Sequence, residues 1–330
     1  MNRIFIVTGA GGLLGSSIVR LLAGNSENEI RALLLPGEPD RAIADCRCRI
    51  YRGDVTDGDS LTDIFDVCRG NDVFVIHCAG LVTIKSRHDP AVRAVNVEGT
   101  ANVAEKALGA GARFVYISSV HAIKENPEGG DVSEIYDFNP DDVIGAYAKS
   151  KAEASGYIID KVRSKGLDAC ILHPAGIIGP GNPGSGYLNE FVRKVAGGKL
   201  PLLPKGGYSF VDVRDVAECA VNACFKGRRG ECYIVSGGYF TIRELADIIC
   251  EIKHRRKIRL EVPVWLIRPF VPAVELYYRL RGQTPLFTRY SLYTISSEGR
   301  FSSAKAEREL GFSPRDIRET LRDAVTDFRV

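Results

Sequence analysis

The chain has 330 residues, of which 45% are hydrophobic and 26% charged, with a formal net charge of +3 at pH 7. That length and balance suit one large α/β domain, or a nucleotide-binding domain with a smaller lobe, and exclude a disordered chain. Acidic and basic residues are interspersed along the chain, so its overall charge gives no argument for a nucleic-acid partner.

The first half alternates short β-branched runs with longer helical patterns. Arg3–Thr8, Ile30–Leu35, Cys48–Arg52, Asp72–His77 and Arg113–Ser118 read as strands. Between them Leu13–Ala23, Ser60–Cys68 and Pro90–Leu108 place apolar residues at helical spacing. This alternation predicts parallel strands joined by crossover helices, a doubly wound sheet. A helix near Ile144–Lys165 and a strand at Ala169–Leu172 extend it. Beyond His173, Pro174–Gly186 reads as a Gly/Pro-rich loop. Helices near Tyr187–Val195 and Val213–Phe225 follow, with strands near Ser209–Val211 and Glu231–Val235 and a helix from Thr241. A helix at Ser303–Leu310 is predicted to end on Gly311 in a left-handed conformation, and Ser313-Pro314 to open the last helix. The expected organisation is a dinucleotide-binding domain over residues 1–173. Residues 174–330 form mainly a substrate lobe, with segments near 205–240 returning to the first domain.

The glycine loop follows the first strand directly: Thr8-Gly9-Ala10-Gly11-Gly12-Leu13-Leu14-Gly15. Gly9, Gly12 and Gly15 are spaced three apart, and Gly11 adds room. Such glycines permit a tight turn and let a pyrophosphate approach the N–H groups of a helix start. The stretch Leu13, Leu14, Gly15 would then line the phosphates. No Lys-Ser/Thr follows, which excludes a Walker loop. Asp54 and Val55 follow the third strand, where Asp54 is either an adenine contact or a turn residue. After the fourth strand, Cys78, Ala79 and Gly80 are small enough to let backbone lie against a cofactor, and His77 reads as a packed histidine.

Tyr147 and Lys151 are four apart on one predicted helix and so share a face. A phenol ionises near pH 10, and half-ionising it at neutral pH takes roughly 4 kcal/mol of differential stabilisation. A nearby ammonium together with an oxidised nicotinamide ring can supply that positive potential. Ser118-Ser119 closes the fifth strand, and Ser119 is chosen by position as the hydroxyl that holds the reacting oxygen.

With these motifs in order, the chain resembles the extended short-chain dehydrogenase/reductases, the NAD-dependent epimerase/dehydratase superfamily. The likeness also runs through Asn96, His173-Pro174-x-x-Ile177, Phe210-Val211-Asp212-Val213-x-Asp215 and Lys305-Ala306-x-x-x-Leu310-Gly311-Phe312-x-Pro314. It implies a Rossmann-type α/β fold, Tyr147 as general acid/base, Lys151 on the cofactor ribose and Ser119 on the substrate oxygen. It also implies Pro174 and Ile177 beside the nicotinamide, Asn96 in a positioning role, and a homodimer. His173 stands where the family often has Arg. Within the superfamily, Arg31–Gly37, Gly206–Val213 and Gly282–Thr288 resemble the dihydroflavonol reductase and 3β-hydroxysteroid dehydrogenase-like members.

The resemblance leaves NAD or NADP open: Leu35 occupies the position where related reductases often carry Arg, with Glu38 and Arg41 nearby, and family likeness alone leans to NADP. Trp265, Phe270, Tyr277 and Tyr278, within Val262–Phe287, read either as an apolar substrate pocket, as core, or as an interfacial helix. Three functions are carried forward. The first is an oxidoreductase interconverting a secondary alcohol and a ketone on a small apolar substrate. The second is a nucleotide-sugar epimerase or dehydratase, with Arg193, Arg228 and Arg289 as candidate phosphate partners. The third is a non-catalytic NAD(P) sensor or assembly protein. The nine cysteines show no CxxC and no zinc spacing, and are expected to be reduced thiols with no metal. No signal peptide or transmembrane segment is expected, and a cytoplasmic location follows.

Overall fold

The computed structural model describes residues 3–66, 70–83, 89–124, 130–181, 186–273, 288–297 and 299–327. Strand β1 (Arg3–Thr8) runs into the glycine loop and helix α1 (Leu13–Ala23), both with the bounds predicted from their apolar spacing. Strands β2 (Asn28–Leu34), β3 (Arg49–Arg52) and β4 (Asp72–His77) follow. The helix expected at Ser60–Cys68 is not there. Two 3₁₀ turns, Asp59–Leu61 and Asp63–Phe65, replace it, each closing a short i→i+3 bond, and Cys68 lies outside the described residues. The helix expected at Pro90–Leu108 is interrupted. A single turn α2 (Pro90–Arg93) passes into a π-helical turn, Ala94–Gly99, before α3 (Thr100–Ala110).

Strand β5 (Arg113–Ile117), the short β6 (Asp131–Val132), helix α4 (Ala146–Lys165) and β7 (Ala169–Pro174) complete the first half. The stretch read as a loop from Pro174 contains a strand, β8 (Gly176–Ile178), and then come α5 (Tyr187–Ala196), β9 (Leu203–Pro204) and β10 (Gly207–Asp212). Helix α6 (Val213–Lys226), β11 (Cys232–Val235), β12 (Tyr239–Thr241) and α7 (Ile242–Ile252) follow. Thr241 and Glu244 form a reciprocal capping box on α7, a device that contributes about 1 kcal/mol. Next come β13 (Glu261–Val262) and α8 (Val264–Ile267). The final elements are helices Arg289–Ser296, Ala304–Leu310 and Ile317–Asp327, with β14 (Arg300–Phe301) before the second. Gly311 closes the second of these helices at φ 72, in the left-handed region as expected. Ser313-Pro314 does not start the last one. Asp316 does, accepting from the N–H of Arg318 at 2.7 Å, because a carboxylate two residues ahead reaches the free amides.

Seven strands form one sheet in the order β11-β7-β5-β4-β1-β2-β3, and every pairing is parallel. This is a Rossmann-type fold. From β1 the chain moves outward to β2 and β3, then returns to β4 on the other side. Right-handed crossovers therefore put α1 and α3 on opposite faces. The order reverses between β1 and β4, and the crevice at their carboxyl ends is where such sheets bind ligands. Among the described residues, a three-stranded sheet β12-β10-β8 builds the second layer, packed with α5, α7 and the last helix. The buried Asp212 caps α6, accepting from the Arg214 N–H at 2.7 Å, and Arg214 reaches Asp323 at 2.6 Å to fasten the last helix.

Candidate active site

Gly9 leaves β1 at φ 65, and a Cβ there would sit 2.8 Å from Ala79 Cα, so only glycine fits where the ends of β1 and β4 meet. Gly15 packs equally closely on the backbone of Gly9 and Ala10, which lets α1 lie against the sheet. Gly12 has a different role. Its N–H donates to Gly9 O at 3.1 Å and it opens α1 with no side-chain cap and no acid in the first turn. The one atom near where its Cβ would be is Gly9 O, at 3.3 Å, so this position is less crowded than Gly9 or Gly15. The first-turn amides of Leu13, Leu14 and Gly15 precede the bond from Ser16 N–H to Gly12 O and carry the partial positive charge of a helix start, which suits a pyrophosphate.

Gly11 meets a residue that the motif reading did not place. The turn after β2, with Gly37 at φ 79, folds the Glu38 carboxylate over Gly11, with Cδ 2.9 Å from the position of a Cβ. Leu35 N–H donates to Glu38 Oε2 at 2.9 Å and fixes it there. The nearby Arg52 guanidinium is engaged by the carbonyl oxygens of Leu35 and Glu38.

Asp54 uses Oδ1 locally, accepting from the N–H of Thr56 at 2.9 Å and from its hydroxyl at 2.8 Å. Of its two readings, the turn role is visible. Val55 is buried under Gly99. His77 is a packed histidine as expected, fully buried between Thr8 Oγ1 (2.7 Å) and Thr100 Oγ1 (3.0 Å), and burial lowers its pKa to about 3. Burial pushes the Cys78 thiol up to about 12, so it is unreactive. Ala79 donates its N–H to Thr8 Oγ1 at 3.2 Å, and Gly80 faces Lys151, whose Nζ is 3.5 Å from the position of a Cβ.

Asn96 sits in the π-helical turn with no exposed surface and ties this loop to α4. Its Oδ1 accepts from Leu81 N–H at 2.7 Å, and its Nδ2 donates to Leu81 O at 3.1 Å and to Ser150 Oγ at 3.0 Å. This contact is the positioning that the resemblance implied for it.

The two serines after β5 part ways. Ser118 Oγ pairs with Ser155 Oγ at 2.8 Å. Ser119 accepts from the His121 N–H at 3.2 Å, and its hydroxyl beside the Tyr147 phenol favours the phenolate. Burial nonetheless dominates and pushes Tyr147 up to about 12. Lys151, one turn along α4, donates from Nζ to Ile117 O at 2.8 Å and lies 4.9 Å from the centre of the Tyr116 ring. Burial lowers it to about 8. The lysine therefore reaches the same crevice, but in the protein alone its ammonium does not offset the burial of the phenol. The acidic phenol expected from the sequence is not what burial produces here.

Pro174 ends β7 and is buried, while Ile177 lies half-buried in β8, paired with Val211 of β10. His173 explains itself by contact. Its Nδ1–H donates to Ser119 O at 3.0 Å and its ring stacks on Phe138, so it holds the serine turn from behind. Burial lowers it to about 4 and keeps it neutral.

Sequence reading missed an aromatic wall. His121, lowered by burial to about 4, stacks on Tyr208 with ring centres 5.4 Å apart, and lies edge-on to Tyr147 at 6.0 Å. The Tyr290 hydroxyl is 3.1 Å from its Nδ1. The Tyr290 ring lies against Gly145, at φ 101 just before α4. The only available signal was that His121 stands two residues after Ser119. Its partners lie 87 and 169 residues away, beyond any local pattern.

Of the arginines weighed for a diphosphate, Arg228 precedes β11, at the opposite end of the sheet, and pairs with Glu309 at 3.0 Å. Arg193 pairs with Glu190 of its own helix at 2.9 Å, and Arg289 is exposed. Trp265 and Phe270 are exposed by 71% and 68% and so are not core, while Tyr277, Tyr278 and Gly282–Phe287 lie outside the described residues. Among the described residues no group of acids, histidines or cysteines could hold a metal, and no helix is long and apolar enough to cross a membrane.

A family model described as the NAD dependent epimerase/dehydratase family matches residues 5–236. The chain belongs to that family. It is thus an enzyme of the NAD(P)-dependent, extended short-chain dehydrogenase/reductase type. Similar members include the sterol demethylase protein B of Methylococcus capsulatus, 30% identical with 98% of each chain covered. A putative dihydroflavonol 4-reductase of Synechocystis sp. is 28% identical over 100% of this chain and 95% of its own. The crystal structure of gox2253 superposes with a TM-score of 0.84 at 29% identity, covering 100% of this chain and 98% of that one.

Proposed function

We propose that this enzyme interconverts a secondary alcohol and a ketone on a small apolar substrate, with residues 1–173 holding the dinucleotide and 174–330 mainly holding the substrate. The observation that carries the reading is the meeting of Ser119, whose hydroxyl acts on the Tyr147 phenol, and the buried Lys151, which donates to Ile117 O at the sheet's carboxyl edge. A nicotinamide dinucleotide bound over Gly12 would supply or take the hydride. Tyr147, protonated at neutral pH, gives its proton to the ketone oxygen or recovers it from the alcohol, while Ser119 holds that oxygen. Among the described residues Lys151 donates one hydrogen bond, to Ile117 O, leaving donors for the ribose. Pro174 and Ile177 border the place for the ring. The engaged Arg228 and the absence of an arginine at Gly206-Gly207-Tyr208 favour this substrate class over a nucleotide sugar.

For the cofactor we read NAD rather than the NADP to which the resemblance leans. The support is the Glu38 carboxylate over Gly11, where an adenosine ribose would lie. A 2′-phosphate there would meet a like charge, at a cost of about 1–4 kcal/mol at contact distance. Glu38→Gln should narrow the NADH-over-NADPH affinity ratio at least fivefold in a fluorescence titration; an unchanged ratio would refute the assignment.

Tyr147→Phe should keep cofactor binding and lose at least about two orders of magnitude in turnover, the size of a general acid–base effect. Near-normal turnover on a panel of ketones would remove Tyr147 from the chemistry. Turnover of UDP-sugars in place of ketones would replace the substrate class.

A further inference from the structure

The interspersed charges of the whole chain hide one local exception. From Lys253 to Ala273 there are six cations, Lys253, Arg255, Arg256, Lys257, Arg259 and Arg268, and one acid, Glu261. Glu261 is held by Arg243 at 3.0 Å. Lys257 pairs with Glu251 at 2.9 Å and Asp247 at 3.5 Å, and the Arg255 guanidinium rests on Gly198. Arg256, Arg259 and Arg268 are exposed and have no acidic partner among the described residues. The same stretch exposes large apolar side chains: Leu260 by 55%, Trp265 by 71%, Leu266 by 43% and Phe270 by 68%. Neither feature serves the fold or the proposed chemistry.

Exposed apolar groups gathered in one stretch mark a surface that something covers. Charge decides what. A second copy of this chain would set one cationic cluster against another. A polyanion without apolar surface would use the arginines and leave Trp265 and Phe270 in water. An anionic lipid bilayer matches both, with headgroup phosphates for the guanidinium groups and the acyl boundary for Trp, Phe and Leu. We propose that residues 253–270 dock this protein peripherally onto an anionic membrane surface. The docking needs no span and does not depend on which substrate the enzyme takes.

Trp265 is the sole tryptophan, so its emission reports the event directly. Full-length protein is mixed with vesicles of phosphatidylcholine alone or phosphatidylcholine with phosphatidylglycerol. The expected result is co-sedimentation with the anionic vesicles only, a blue shift, quenching by brominated acyl chains, and release by high salt. Replacing Arg256, Arg259 or Arg268 with Gln should lower the partition constant about fivefold for each position. Trp265→Ser with Phe270→Ser should lower it further, read by sedimentation, while the melting temperature stays unchanged. Equal binding to neutral vesicles, or unshifted emission with no co-sedimentation, would overturn the proposal. So would a salt-resistant dimer that Trp265→Ser dissolves, because the patch would then join two copies of the chain.

Discussion

Lys151 sits in the crevice at a thermodynamic cost. Its ordinary pKa of 10.5 falls to about 8 because burial penalises the ammonium, although Ile117 O accepts from it and the Tyr116 ring lies beneath it. Between about pH 8 and 10.5 the unfolded chain holds a proton that the folded chain has released, so this residue makes stability rise with pH across that window. Below pH 8 its full burial cost remains. Lys151→Met should therefore raise stability at neutral pH by about 1 kcal/mol or more while turnover falls at least about a hundredfold. Thermal unfolding beside steady-state assays checks this. A lower melting temperature would mean that the Ile117 contact outweighs the burial. Glu38 and His121 give the same lesson from the other side. Residue types inside a motif were legible, but where a carboxylate or imidazole swings from a loop depends on backbone turns such as Gly37, which spacing does not encode.

At the scale of elements, the glycine loop separates two kinds of glycine that look alike in the sequence. Gly15 is a packing glycine, with Gly9 C only 2.8 Å from the place of a methyl group, whereas at Gly12 the nearest atom, Gly9 O, is 3.3 Å away and needs to shift only slightly. Gly15→Ala should destabilise the fold by about 3 kcal/mol through overpacking. Gly12→Ala should leave the melting temperature nearly unchanged and weaken cofactor binding. Calorimetry and a binding titration tell the two apart, and equal loss of stability in both would collapse the distinction. The strands were legible as short continuous runs of β-branched and apolar residues, and α1 because a 3.6 period places its apolar residues on one face. The 3₁₀ turns at Asp59–Phe65 and the π turn at Ala94–Gly99 were not, since their apolar residues still fall near helical spacing while the hydrogen bonds shift by one residue. The short strands β8 and β12 owe their form to partners far along the chain, which a local pattern does not carry.

At the scale of the whole molecule, the buried His77 and His173 and the half-buried His121 set the acid limit. His77, His121 and His173 are held neutral by burial, with values of about 3, 4 and 4 against an ordinary 6.5. Below pH 6.5 the unfolded chain takes up protons that the folded chain refuses until about pH 4. Stability is thus intact above 6.5 and falls as the pH drops, by up to roughly 4 kcal/mol per pH unit while all three lag. Urea midpoints measured from pH 7 to 4.5 should drop steeply, and His173→Asn should flatten the slope by about a third. An unchanged slope would show that His173 protonates without unfolding.

The order β11-β7-β5 carries a practical consequence. The last strand to join the large sheet arrives only after the chain has travelled through β8, α5, β10 and α6. A fragment stopped at residue 173 would carry the whole glycine loop and both Tyr147 and Lys151, yet would leave the rim of β7 without its neighbour. Such a raw margin of amides and carbonyls invites intermolecular pairing. Expression of the amino-terminal half alone should give aggregates, while adding back residues through Val235 should restore a soluble product.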